Sequence, residues 1–79
     1  MPRYYFHWRA GDSYESDSDG LEFADLNAVR AAALKGARAI LSEEIQLGRF
    51  TLQQAFEVHD EDGGRVMTMP FSQAVTASL

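Results

Sequence analysis

The sequence predicts an α+β domain: one long helix packed on a mainly antiparallel four-stranded sheet, in the order β-β-α-β-β, with a short helical turn at the C-terminus. Three observations predict it. Arg3–Arg9 alternates between two side-chain classes with a period of two, as a pleated strand does. Residues 26–47 combine good helix formers with apolar residues at helical spacing. Two further alternating runs follow Gly48, separated by an acidic, glycine-bearing turn at Asp60–Gly64.

In the first strand, Tyr4, Phe6 and Trp8 fall on one face, and Arg3, Tyr5, His7 and Arg9 on the other. A second strand is expected within Tyr14–Phe23, broken near Asp19-Gly20, with Leu21 and Phe23 on its apolar side. The two form an antiparallel hairpin. Asp25 is the expected N-cap, its carboxylate accepting an amide hydrogen of the first turn. From Leu26 to about Leu47, the residues Leu26, Val29, Ala33, Ala37, Ile40 and Leu41 share one stripe at roughly 100° per residue. The small side chains Ala33, Gly36 and Ala37 lie mid-stripe, where the helix can approach large aromatics closely. Gly48 is the expected left-handed residue that ends the helix. In the third strand, Phe50–His59, Phe56 and Val58 oppose Ala55, Glu57 and His59. In the fourth, Arg65–Phe71, the residues Met67, Met69 and Phe71 point inward, and Pro70 marks a strand end or a sheet edge because it has no amide hydrogen. Ser72–Leu79 supplies the terminal turn, with Ser72 as its cap.

Seventy-nine residues make a single domain, 1–79. A chain this short has a thin core and a small stability margin. With no cysteine it has neither disulfides nor thiolate chemistry, so stability rests on packing, aided by self-association. The longest apolar run, Ala31–Leu34, is far shorter than a membrane span, and the N-terminus lacks the pattern of a signal peptide, so a cytoplasmic protein is expected. Twelve acidic residues against seven basic ones give a net charge of −5, the reverse of the balance that drives duplex binding.

Neither acidic loop completes a calcium site. With Gly20 at the sixth position of such a loop, Glu15, Asp17 and Asp19 fall on ligand positions, but the closing twelfth position is Leu26. With Gly63 at the sixth, the first position is Val58 and the twelfth Met69. The two histidines, His7 and His59, stand on different strands, and no motif supplies a nucleophile or a partner carboxylate. No catalytic residue, metal ligand or cofactor-binding residue is therefore assigned, and no cofactor is expected. The candidate interaction face is Arg3, Tyr5, His7 and Arg9. Aromatic and cationic side chains on an open sheet suit a protein interface; they also resemble RNA-binding sheets, whose glycine-and-aromatic signature is missing here.

The opening MPRYYFH, the loop closing in DSDGLEF-ADL, the Ala/Arg-rich helix and the DEDGG-RV ending before Pro70-Phe71 together resemble a family of small uncharacterised bacterial proteins, a domain of unknown function common in alphaproteobacteria such as rhizobia. The resemblance runs from Met1 to about Val75. The sequence departs from the family pattern in the extra glycine of DEDGG and in Ala24 where proline is common. The resemblance implies a bacterial cytoplasmic protein and brings no activity with it. In layout alone, two strands before an acid-capped helix are also similar to antitoxin partners of small RNA-cleaving toxins, without room for their DNA-binding segment. The expected function is a non-enzymatic, self-associating or protein-binding domain; the alternative is a nucleic-acid-associated or toxin–antitoxin-like regulator working through the same face.

Overall fold

A computed structural model describes residues 1–76. The chain runs β1 (Arg3–Ala10), β2 (Ser13–Glu15), β3 (Leu21–Glu22), α1 (Leu26–Gln46), β4 (Gln54–His59), β5 (Arg65–Pro70) and α2 (Phe71–Thr76). All strand pairs are antiparallel, and the sheet order is β2-β1-β4-β5. The fifth strand, β3, pairs with β1 as well, on the edge that β2 also uses. Both helices cover one face of this sheet.

The expected second strand is thus two strands, and of its two expected apolar residues Phe23 packs against the core whereas Leu21, on the two-residue β3, is exposed. β2 holds the Trp8–Ala10 end of β1 and β3 holds Arg3-Tyr4. The arch 16–20 between them leaves the middle of β1 without a strand on that side. The Asp17 carboxylate fills the gap by accepting the Phe6 N–H at 3.0 Å, which a neighbouring strand would otherwise bind.

α1 begins where expected: Asp25 Oδ1 accepts the Ala28 N–H at 2.9 Å. It ends in a Schellman motif, with Arg49 N–H bonded to the Glu44 carbonyl and Gly48 N–H to that of Ile45. Gly48 takes the left-handed conformation, φ +80°, that this closure requires. The stripe is buried at Val29, Ala33, Ala37 and Leu41, and half-buried at Ile40. Leu26, at the same angular position on the first turn, is exposed. Below the helix lie Tyr4, Phe56, Val58 and Met69, with Phe71 and Ala74 of α2 completing the core. The Phe56 ring lies tilted against Phe71, 5.0 Å between centres, and meets Phe6 edge-on at 5.8 Å. A side-chain carbon on Gly36 would stand only 3.4 Å from the Phe56 ring, so the small mid-stripe residues set how closely helix and sheet approach.

Two other boundaries differ from expectation. β4 starts at Gln54 rather than Phe50, because the Thr51 hydroxyl accepts the Gln53 N–H and turns the chain. Gln54 is buried and fully engaged: it accepts the Trp8 Nε1–H at 2.9 Å and donates to Glu44 and to the Thr51 carbonyl. This network ties β1, β4 and the end of α1 together. α2 begins at Phe71, so Ser72 lies inside the helix rather than capping it, and Phe71 is a helix residue rather than the end of the last strand. The rest of the expected turn, residues 77–79, lies outside the described residues. Pro70 ends β5, which is an edge strand. Among the described residues no helix is long and apolar enough to cross a membrane.

Candidate functional site

Strand alternation places Arg3, Tyr5, His7 and Arg9 together on the sheet face that carries no helix. The register adds the neighbours that sequence alone could not assign. Tyr5 pairs with His59, His7 with Glu57 and Arg9 with Ala55 on β4; Arg9 pairs with Tyr14 on β2. Thr68 of β5 continues the row beyond Glu57.

The side chains of this face order one another. The Arg9 guanidinium lies 4.7 Å from the centre of the Tyr14 ring and bonds the Glu57 carboxylate at 2.6 Å. This bond holds the Glu57 carboxyl below the usual carboxylate range, with Arg65 and His59 acting in the same direction, and raises Arg9 further. At the other end, Arg3 Nη1 donates to the carbonyls of Asp19 and Gly20, and Nη2 lies 3.7 Å from Glu22. Both arginines are therefore engaged within the fold. Tyr5 is half-buried, its ring lying against Gly20.

In the middle, the His7 and His59 rings meet edge to face, 4.6 Å between centres. Sequence gave no reason to join them; only the β1–β4 register does. The Asp17 N–H donates to His7 Nδ1 at 3.0 Å. An amide nitrogen can only donate, so Nδ1 presents its lone pair and the proton of a neutral His7 sits on Nε2. His7 in this state offers no free lone pair for abstracting a substrate proton or ligating a metal. The acidic loops are committed to their own backbone too: Asp17 Oδ1 accepts from Asp19 and Gly20, and Asp60 Oδ1 from Asp62 and Gly64. Among the described residues no group of three or more His, Asp or Glu side chains gathers as a metal site.

Burial raises the Asp17 carboxyl, but hydrogen bonds from the Phe6, Gly20 and Asp19 amides outweigh it, and the group lies below its ordinary value of 3.8. A depressed carboxyl stabilises the arch wherever it is ionised and loses that contribution as pH falls through its folded value. The amides of Asp19 and Gly20, which bond the Asp17 carboxylate within the arch, should therefore lose hydrogen-exchange protection below the ordinary carboxylate range, before the amides of α1 do. Simultaneous loss across both sets would show that Asp17 does not hold the arch.

A second feature was not foreseen. A shallow groove of about 520 Å³ lies between the last turns of α1, α2 and Phe50, lined by Leu41, Ile45, Ala74 and Val75. Ile45, Phe50 and Val75 are exposed. Phe50 joins it because the chain turns at Thr51 before β4 begins.

No curated protein and no solved structure matches the chain significantly. Residues 3–72, from the first strand to the start of α2, match the family described as Domain of unknown function (DUF6894), and the chain belongs to that family.

Proposed function

We propose that this chain is a non-enzymatic interaction domain of the bacterial cytoplasm that pairs with a second copy of itself through its open sheet face. The observation that carries this reading is an uncovered face whose Tyr14, Arg9, Glu57, His7 and His59 side chains are held in place by mutual contacts. Ordered aromatic and arginine side chains lose little freedom on binding and are enriched at interfaces. A two-fold pairing would also add buried surface to a domain short of it. Absence of cysteine fits a reducing compartment. The nucleic-acid reading is weaker, because Arg3 and Arg9, the cations best placed for phosphates, already face Glu22 and Glu57.

Light scattering on a size-exclusion column at tens of micromolar tests the proposal. The expected mass is twice the 8.8 kDa of one chain, and a single-chain mass throughout rejects it. Tyr14 is a better probe than Tyr5, whose ring is needed under Gly20. Tyr14→Glu should dissociate the dimer with the helical circular-dichroism signal intact. A dimer indifferent to that change sits instead on the β5 edge or the Ile45–Phe50–Val75 groove. Binding of single-stranded nucleic acid by the native chain would favour the alternative.

A further inference from the structure

We infer that His7 is a proton-operated latch: its neutral imidazole holds the 16–20 arch against β1, and its protonation releases the arch. This goes beyond the proposed pairing and does not depend on it.

The argument begins with the gap in the sheet. β2 and β3 leave Tyr5–His7 without a strand partner on one side; Asp17 closes that gap, while Arg3 Nη1 holds the far end of the arch by its Asp19 and Gly20 carbonyls. Asp17 is held from both ends. Its carboxylate accepts N–H groups from Phe6, Asp19 and Gly20, and its own N–H is accepted by His7 Nδ1. The last bond differs from the others in chemistry, because its acceptor is an imidazole nitrogen whose lone pair is also its site of protonation. An imidazolium carries hydrogens on both nitrogens and has no lone pair to accept with. A charged His7 would set an N–H against an N–H. Docking at this bond and protonation of His7 exclude each other, so proton uptake and release of the Asp17 amide are one event. Histidine is the side chain that ordinarily changes charge between about pH 5 and 8.

The surroundings decide whether the charge has another home. On β4, Glu57 lies directly across from His7 but is bonded to Arg9, and His59 stands 4.6 Å away. On β1, Tyr5 and Arg9 flank the ring on the same face; on β2, Tyr14 lies 5.8 Å from it; on β5, Arg65 pairs with His59. Arg9, Arg65 and a charged His59 would oppose a cation here. The Asp17 carboxylate would attract one, yet the imidazolium can bond it only by turning Nδ1 away from the Asp17 amide. That rearrangement breaks the same bond. Release frees the Phe6 N–H on the sheet edge, so the middle of β1 is uncovered there.

Nitrogen-15 histidine spectra and amide hydrogen exchange on the whole chain test this. Near pH 7.5, His7 should be the tautomer protonated on Nε2, with Nδ1 accepting. Between about pH 7.5 and 5.5, where Asp17 stays ionised, protection of the Asp17 and Phe6 amides, corrected for intrinsic exchange, should fall about tenfold. His7→Asn, whose carbonyl oxygen accepts without titrating, should make that protection independent of pH, whereas His59→Asn should leave the response in place. A His7 protonated on Nδ1 at pH 7.5, constant protection in the native chain, or a response that survives His7→Asn would overturn the latch. If His7→Asn does not fold, the tautomer and the native pH response decide alone.

Discussion

Ala37→Asp is expected to unfold the domain. Ala37 is completely buried in the middle of the α1 stripe, against a sheet whose nearest side chains are apolar. A carboxylate there loses water and gains no partner, a cost of at least about 4 kcal/mol. A single core of this size supplies roughly 3–5 kcal/mol, so the variant has no stability left. Ala39→Asp is the control. It carries the same loss of helix propensity, about 0.6 kcal/mol, at an exposed position two residues away. Its total cost should stay under about 1 kcal/mol. Thermal melts followed by circular dichroism distinguish the two, and equal melting temperatures would mean that α1 is rotated from the face described.

The second large effect is at Gly20. Its φ of +66° is unfavourable for any side chain, and a methyl group there would stand 2.8 Å from both the Tyr4 carbonyl oxygen and the Tyr5 ring. The backbone carbonyl belongs to β1 and cannot swing aside. Gly63 separates the two contributions, since it has a similar φ of +84° with nothing within 4 Å. Gly63→Ala therefore bears the conformational cost alone, about 1 kcal/mol. Gly20→Ala adds the clash and should lose about 3 kcal/mol in all. For a domain of this length the difference corresponds to a separation of roughly 10 °C between melting temperatures. Equal losses would mean that the arch does not lie against β1.

The helix was legible because its signals are local. The Asp25 cap, the apolar spacing from Val29 to Leu41 and the closure at Gly48 all act within a few residues, and the structure reproduces each. The division of β1 into a core face and an open face was legible for the same reason, since alternation belongs to the strand itself. The arch was not. A run of Asp, Ser and Gly reads as a turn wherever it occurs, and nothing local says that Asp17 will replace a strand residue beside Phe6. Gly20 likewise reads as a turn residue, whereas the reason for it is the distant Tyr4-Tyr5 backbone and ring.

The sequence by itself therefore determined the α+β class, the limits of α1, the two faces of β1 and β4, and the strand end marked by Pro70. Each follows from conformational preferences and periodicities that operate over one turn or one pleat. The tertiary structure alone decided which strands are neighbours, and with that the pairing of His7 with His59 and of Arg9 with Glu57, across 52 and 48 positions of chain. Register is set by burying the Tyr4, Phe6, Trp8, Phe56, Val58 and Met69 faces together under one helix, a collective condition that no short stretch of the chain contains.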